Sequence, residues 1–414
     1  MLTHFYPIIA LLIVFTALFS YINHRFIKLP NTIGIMLISL ICSFLFVVFG
    51  SMFPTISNQL KSMAQSIDFE SLLMNVMLSF LLFAGATHVD AQKLKKEILP
   101  IISFSTLGVL LSTIIIGFSM FVLFKGFGMK IDLIYCFLFG ALISPTDPIA
   151  VLGILKKSKI PPALETKITG ESLFNDGVGV VIFLSIMEIA TLGIDNLSVS
   201  QIGWLFIKEA VGGVIWGLLL GYAGFYLLKT IDNYQVEVLI TLAMVMGGYA
   251  LGNWIHVSGP LAMVVAGLIT GNKGRRLAMS DITRDYLSKF WELVDEILNA
   301  LLFLLIGFEI LVININQDII WISLIAIVIV LFARFVSVFV PIFFLSFLRT
   351  FEKNTIAILT WGGLRGGISV ALALSLPANM YRQEFVAITY IIVLFSIIVQ
   401  GLTVGKVANK LTKN

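Results

Sequence analysis

Long apolar runs recur along the whole chain, and each is separated from the next by a short polar break. Runs of about 18 or more apolar residues have the length that an α-helix needs to cross a bilayer. Charged residues make up only 12% of the 414 residues, whereas a soluble protein carries about a quarter. A transmembrane barrel is disfavoured because its strands alternate apolar and polar residues, and runs such as 98–124 do not alternate. The sequence therefore predicts an all-α, polytopic membrane protein.

The chain is predicted to contain about thirteen transmembrane spans. The breaks between them are short, so we expect a single transmembrane domain over residues 1–414, without a soluble domain or linker. The third and ninth spans have the weakest hydrophobic signal. The predicted spans are 5–22, 30–50, 71–89, 98–124, 131–155, 168–190, 202–228, 236–255, 258–272, 290–313, 318–348, 354–377 and 384–406.

Basic residues are distributed unevenly between alternate breaks. Of the 27 Lys and Arg residues, twenty fall on one side and five on the other, while Arg334 and Arg365 lie inside spans. Loops that remain in the cytoplasm carry such an excess. We therefore expect the cell's inner (cytoplasmic) membrane, with the N-terminus outside and the C-terminus in the cytoplasm. Because this topology accounts for the net charge of +4, no nucleic-acid partner is expected.

Several charged residues fall inside predicted spans, where each costs about 2.5–3.5 kcal/mol on insertion scales. A structural ion pair is the simplest explanation for any of them. It explains Glu171 and Arg334 at least as well as a functional role does, but it explains Asp176 poorly. The residues are Asp147, Glu171, Asp176, Arg334 and Arg365, and Glu309 is a further candidate near the end of a span.

Span five contains two prolines, Pro145 and Pro148, that flank Thr146 and Asp147. A proline inside a helix removes a backbone donor and clashes with the preceding turn. Unwound backbone is tolerated at this depth only where it is buried in protein or lines a water-filled cavity. We therefore predict a broken helix whose half-helix ends help to bind an ion.

Span six carries four polar side chains in an otherwise apolar helix. At about 100° per residue they share one arc, which should face a helix bundle or cavity instead of lipid. Asp147 and Asp176 each lie eight residues from the cytoplasmic end of their spans, or about 12 Å by the helical rise. We therefore expect the two carboxylates at similar height. The arc consists of Glu171, Ser172, Asn175 and Asp176.

Span twelve places four glycines around Arg365, in the segment 362–367. Glycine is poor in a helix interior and permits unusual backbone angles, so we predict a second broken helix. Spans four to six and eleven to thirteen cross the membrane in opposite directions, and each triplet has a broken middle span. This is the layout of an inverted repeat with the substrate site at its centre. We expect these triplets to form the ion-binding core bundle, and the other spans a scaffold.

The motifs described above, taken in order and spacing, resemble the sodium/proton exchanger branch of the cation:proton antiporters. The bacterial and archaeal NhaP-type members are the most similar, and the resemblance runs from span two to span thirteen. The combination is specific, although each motif alone would be weak. The segments that carry it are SPTDPIAV (144–151), GESLFNDGVGVVIF (170–183), FARFVSV (332–338) and WGGLRGGISVAL (361–372).

The resemblance implies a homodimeric exchanger of thirteen helices in which the two broken helices cross. Asp176 matches the carboxylate that binds the ion and the proton, and Asn175 precedes it as in the branch associated with electroneutral exchange. Glu171 and Arg334 match a structural ion pair, and Arg365 matches the basic group at the helix crossing. The other expected site contributors are Thr146, Asp147 and Ser172.

One position departs from the family pattern. In span three, Ala84 stands where many relatives have a carboxylate that some of them use near the ion. The number of ligands and the ion preference are therefore open. The expected Na⁺ ligands are Asp176, the Ser172 hydroxyl and an oxygen at Thr146, although Li⁺ and K⁺ use similar oxygens.

Three other functions were weighed against antiport. A channel-like cation pathway would also use polar residues in midspan, but the chain contains no repeated filter signature. A membrane-embedded enzyme is disfavoured because HExxH and GxSxG motifs are absent. A transport-inactive sensor with the same fold remains open because of Ala84. The four scattered histidines and two cysteines show no ligand spacing, so no cofactor or resident metal is expected.

Overall fold

A computed structural model describes residues 2–49, 72–147, 160–193, 199–311, 313 and 316–412. Over these residues every regular element is a helix, and no strand occurs. Seven of the helices are long and apolar enough to cross a membrane. The all-α, multi-pass fold class is thereby confirmed, while the count of thirteen spans stays a prediction.

The helices are numbered here in chain order. Those of the first half are α1 (Leu2–Ile22), α2 (Asn31–Phe49), α3 (Leu78–Thr87), α4 (Ala91–Lys96), α5 (Ile98–Ser103), α6 (Val109–Gly126), α7 (Leu133–Ile143) and α8 (Pro162–Leu192). Those of the second half are α9 (Val199–Lys229), α10 (Tyr234–Trp254), α11 (Gly259–Ile269), α12 (Arg275–Leu277), α13 (Asp281–Glu309), α14 (Gln317–Leu345), α15 (Thr355–Trp361), α16 (Gly367–Leu374), α17 (Arg382–Phe395) and α18 (Leu402–Thr412).

Three pairs of helices in the described part of the chain continue into each other through short π-helical segments, and one of these segments, Thr270–Gly274, joins α11 to α12. Phe104–Gly108 joins α5 to α6, and Ser396–Gly401 joins α17 to α18. Two of the joined elements, Ile98–Gly126 and Arg382–Thr412, are among the seven long apolar helices. The π-helical segment Ser396–Gly401 contains residues that bond to the non-helical part of span twelve.

The chain leaves the helical conformation in the middle of predicted spans five and twelve. Helix α7 ends at Ile143, and residues 145–147 are not helical. Pro145 lacks a backbone N–H, and a proline restricts the residue before it, so a helix commonly ends here. Pro148 and the remainder of span five lie outside the described residues. In span twelve, α15 ends at Trp361 and α16 begins at Gly367, with non-helical residues between them.

A stripe of glycines on α9 packs directly against α11. A methyl group added at Gly217 would lie 2.6 Å from the carbonyl oxygen of Ala262 and 2.9 Å from its Cα. Gly213 and Gly221 likewise face Ser258 and Ile269. Small residues at this spacing let two helix backbones approach closely inside a membrane. The stripe therefore acts in helix packing.

An ion cluster holds the first turns of α8, the helix that carries most of the candidate site. Lys167 is fully buried, and its Nζ lies 2.6 Å from Glu352 Oε2 and 3.6 Å from Glu97 Oε2. Arg349 donates to the same Glu97 oxygen at 2.6 Å. Burial favours a raised pKa for Glu352, but the hydrogen bond and charge of Lys167 outweigh it, and the pKa is lowered. The cluster ties α8 to the segment before α15.

We expect Gly217→Ala to destabilise the protein by about 1–3 kcal/mol, because the new methyl group meets backbone that has no room to move. Gly203→Ala is the matched control on the same helix, since nothing lies within 4 Å of its added Cβ. It should be neutral or stabilising by up to about 1 kcal/mol, because alanine is the better helix former. Thermal unfolding of the detergent-purified variants measures both. Equal unfolding temperatures for the two would contradict the packing account.

Candidate ion-binding site

Helix α8 carries the polar arc predicted for span six. It starts with Pro162, where the missing N–H costs no helical hydrogen bond. All four polar residues of the arc are buried, and Asp176 is the most exposed of them at 7%. Gly179 lies directly against the ring of Pro145, so α8 packs closely on the first helix interruption.

Three side chains form a hydrogen-bonded group between α8 and the unwound residues of span five. Asn175 Nδ2 donates to Thr146 Oγ1 at 2.7 Å, and the backbone N–H of Thr146 donates to Asn175 Oδ1 at 3.3 Å. Thr146 Oγ1 also lies 3.1 Å from Ser172 Oγ. Asn175 therefore fixes both the backbone and the hydroxyl of Thr146, and Ser172 lies one helical turn before Asp176 on α8.

Asp176 lies next to this group but does not join its hydrogen bonds. Its carboxylate forms no side-chain hydrogen bond or ion pair within the described part of the chain. Asp147 is near enough for the two carboxylates to interact electrostatically. A buried carboxylate without a partner is costly when charged. Asp176 is thus placed to take up a proton or a cation.

The two helix interruptions are bonded to each other. The backbone N–H of Asp147 donates to the carbonyl oxygen of Leu364 at 2.8 Å. Arg365 Nη1 donates to the carbonyl oxygens of Ser144 and, at 2.9 Å, of Pro145. These carbonyls belong to the carboxyl end of α7, where a positive charge is favourable. Arg365 therefore compensates the end of one broken helix from the other.

Two glycines of span twelve leave space for the side chains of Asp147 and Arg334. A methyl group at Gly366 would collide with the side chain of Asp147, and one at Gly363 would collide with Arg334. Glycine lacks that methyl group, so backbone and side chain can approach closely. The glycine-rich sequence around Arg365 thus provides space as well as a break in the helix.

Glu171 and Arg334 form a buried ion pair between α8 and α14. Arg334 Nη1 contacts Glu171 Oε1, and Nη2 donates to Oε2 at 3.0 Å. Arg334 also donates from Nε and Nη2 to the carbonyl oxygen of Leu359, at 3.2 and 3.1 Å. Both carboxylate oxygens and three guanidinium nitrogens are therefore satisfied. The remaining candidate, Glu309, is the last residue of α13, and its charged neighbour is Arg382.

Polar residues of the last long helix, which lie outside the motifs that predicted the site, complete the second interruption. Ser396 Oγ accepts from the backbone N–H of Arg365 at 2.8 Å and donates to Gln400 Oε1 at 2.7 Å. Gln400 Nε2 in turn donates to the carbonyl oxygen of Trp361 at 3.1 Å. A glutamine in an apolar span is the signal that could have revealed them.

Comparison with known proteins identifies the family. A profile of the transmembrane sodium/hydrogen exchangers matches residues 13–410. The chain belongs to the sodium/hydrogen exchanger family. It is 48% identical over 413 residues to the Na⁺/H⁺ antiporter NhaP of Pseudomonas aeruginosa, covering 98% of this chain and 96% of that protein. It is 34% identical over 397 residues to the antiporter NhaH of Halobacillus dabanensis, covering 94% and 93%.

Solved structures of an antiporter share the fold of this exchanger. Two structures of the sodium proton antiporter MjNhaP1 from Methanocaldococcus jannaschii superpose with TM-scores of 0.78 and 0.75. Each match covers 100% of this chain and 99% of that one, at 20% sequence identity. At such identity the likeness shows the fold alone. The relatives named above are transporters and not enzymes, which agrees with a non-enzymatic protein.

Ala84, where the resemblance leads us to expect a carboxylate, lies inside the protein and close to α8. Ala84 is fully buried in α3. The next residue, Gly85, faces Leu173 on α8. A longer side chain at Ala84 would have to find room in packed protein. The roles expected for Thr146, Asp147, Ser172 and the other site residues stay predictions.

In this exchanger, Glu171→Gln should lower the free energy of unfolding by about 3–5 kcal/mol, because it leaves Arg334 buried without its counter-charge. Replacing both residues together by leucine should cost less than the single change, since no unpaired charge remains. The control is Asp285→Asn, which breaks the exposed Asp285–Lys289 pair of 2.7 Å and should matter by less than about 0.5 kcal/mol. Thermal unfolding in detergent gives the comparison, and equal losses for Glu171→Gln and Asp285→Asn would refute the ion-pair role.

Proposed function

We propose that this protein is a secondary antiporter that exchanges a monovalent cation for H⁺ across the cytoplasmic membrane by alternating access. Na⁺ is the favoured cation, and Li⁺ and K⁺ are the alternatives. The observation that carries the proposal is Asp176, a buried carboxylate that forms no hydrogen bond or ion pair among the described residues, one helical turn after Ser172 and near an unwound helix. The Na⁺/H⁺ antiporter relatives support the same substrates.

The cation would bind to oxygens that surround Asp176. Thr146 and Ser172 present hydroxyl oxygens 3.1 Å apart, and Asn175 holds Thr146 in place. Carboxylate, hydroxyl and carbonyl oxygens are hard ligands that suit hard cations. We assign Asp176, Ser172 and Thr146 as Na⁺ ligands, with Asn175 and Asp147 as supporting residues.

Competition at a single carboxylate would couple the two fluxes. A charged Asp176 without a counter-charge is unfavourable at this depth, so the site binds either a cation or a proton before it changes sides. If both cannot bind together, a cation crosses one way and a proton returns. Asp147 and Arg365 would offset the opposite ends of the interrupted helices.

We further propose that the molecule is divided into a moving core and a scaffold. Spans four to six and eleven to thirteen form the moving core, in which the two broken helices cross and the Glu171–Arg334 pair joins α8 to α14. The remaining spans form a scaffold through which two copies assemble as a homodimer. The N-terminus lies outside and the C-terminus in the cytoplasm, as the distribution of basic residues indicates.

Proteoliposomes with an internal pH dye and an imposed pH gradient test the function. Sodium, lithium or potassium added outside should dissipate the gradient with the parent protein, while Asp176→Asn should behave like protein-free liposomes. Asp281→Asn, which changes an exposed carboxylate of α13, is the control and should match the parent. Cation flux without coupled proton movement would indicate a channel-like pathway. No flux of either kind would indicate a transport-inactive sensor.

The pH dependence of the same assay tests the competition directly. Where a proton and a cation compete for one carboxylate, the apparent KM for the cation rises as the pH falls, by up to about tenfold per pH unit. The maximal rate at saturating cation should change far less. An apparent KM that is constant across the active pH range would show that the two ions use separate sites.

Asn175 leads to a prediction about charge movement. Because it is neutral where a second carboxylate could stand, one cation exchanges for one proton and no net charge crosses. The exchange rate should therefore be unaffected by a membrane potential imposed with a potassium gradient and valinomycin, with Na⁺ or Li⁺ as the exchanged cation. A rate that responds to the potential would rule out one-for-one exchange.

A further inference from the structure

Two polar residues of α13 lie on the face of this helix that packs towards the interior of the protein. Leu302 packs on Gly367, the first residue of α16, so this face of α13 meets the second helix interruption. Asn299 lies about one turn, and Asp295 about two turns, towards the amino end of α13 on the same face. Both residues therefore lie between the polar beginning of α13 and the candidate ion site.

The two side chains are bonded to each other but leave one oxygen unused. Asn299 Nδ2 donates to the carbonyl oxygen of Asp295 at 2.9 Å and to its Oδ1 at 3.0 Å. These two acceptors fix the orientation of the amide. Asn299 is 1% exposed, and its Oδ1 has no hydrogen-bond partner within the described residues. Burial of an unsatisfied acceptor costs about 1–3 kcal/mol, and a cation or water molecule bound at this oxygen would offset that cost.

The surrounding charges favour a cation at this position. Asp295 is partly buried and within electrostatic reach of Asp147, Glu292 and Glu296. Helix α13 carries no Lys or Arg after Lys289. The exposed ion pairs of α13, Asp281 with Arg284 and Asp285 with Lys289, are all in its first turns, nearer to water. After Lys289 the charged residues of α13 are therefore all acidic, and such local negative charge raises the concentration of cations.

We propose that Asp295 and Asn299 form an access site for a partly hydrated monovalent cation on its way between the cytoplasm and Asp176. This inference rests on the antiport function proposed above. The Asp295 carboxylate attracts the cation, and Asn299 Oδ1 takes the cation or one of its water molecules. The site belongs to the scaffold, whereas Asp176 belongs to the core, so a cation passes from one part of the protein to the other.

In this proposal Asp295 lies between the cytoplasm and Asp176. Its replacement should therefore affect cation binding from only one face of the membrane. The experiment measures the apparent KM for Na⁺ from each face in proteoliposomes of known orientation. Asp295→Asn keeps the shape of the side chain and should raise the KM at the cytoplasmic face by about tenfold, while the KM at the outer face stays within about twofold. Asp295→Glu, which keeps the charge, should restore a KM close to that of the parent.

A neighbouring residue provides the control for a general charge effect. Glu296 is the next residue on α13 and is exposed, so Glu296→Gln removes the same charge from nearly the same place. Because Glu296 is exposed, water and salt screen its charge, and its loss should change the KM at either face by less than about twofold. If the KM at the cytoplasmic face rose equally in Glu296→Gln and Asp295→Asn, a diffuse negative field would explain the effect, and the proposed site would be wrong. No rise in Asp295→Asn, or an equal rise at both faces, would also overturn the proposal.

The outcomes for the access site and for antiport can be separated. If the parent protein exchanges Na⁺ for H⁺ but Asp295→Asn matches it at the cytoplasmic face, only the access site is wrong. If the parent shows no exchange, the proposed function itself has failed. Should Asp295→Asn not assemble, Asp295→Ser removes the same charge and carries the same expectation at the cytoplasmic face.

Discussion

Backbone groups that leave a helix inside a membrane have no water to bond, and this constraint governs the centre of the molecule. Each helix interruption here supplies partners for the other. Leu364 accepts from the backbone of Asp147, while Arg365 donates to the carbonyls of Ser144 and Pro145. Ser396 then accepts from the backbone of Arg365. Neither interruption would be stable alone, so the two unwound segments are structurally interdependent.

The chemistry of the site follows from this interdependence. With the first interruption fixed, Thr146 is presented to α8 at hydrogen-bond distance from Asn175 and Ser172. Asp176, next to Asn175, is buried and forms no hydrogen bond or ion pair with the part of the chain that the structure describes. A buried carboxylate without such a partner has little tolerance for an empty, charged state. In the proposed mechanism this carboxylate would link cation binding to proton binding.

Particular residues show how far the sequence could predict this arrangement. Pro145 and the glycines near Arg365 predicted both interruptions. A proline lacks a backbone N–H and a glycine lacks a side chain, so each weakens the helix at its own position. The buried arc of α8 followed from helical periodicity in the same way. The partners did not follow, because periodicity gives the face of a helix but not what lies opposite. Arg365 and Ser144 are separated by 221 positions, and Ser396 lies in an apolar span without any break.

Asp295 shows a second limit of sequence reasoning. It lies in a helix whose first turns carry exposed ion pairs, so its charge looks like part of a solvated surface. Only the packing of Leu302 on Gly367 shows that this face of α13 turns towards the core. Ala84 is a limit of another kind, because the resemblance that predicts a carboxylate at this position does not predict which other oxygens would bind the cation.

The central claim, that a cation and a proton compete for Asp176, is tested most directly by the protons released on cation binding. Isothermal titration of the purified protein with Na⁺, in two buffers of different ionisation enthalpy at the same pH, measures that release. The account predicts different apparent enthalpies in the two buffers for the parent protein and no heat of binding for Asp176→Asn. Binding with the same enthalpy in both buffers, or proton release that persists in Asp176→Asn, would contradict it.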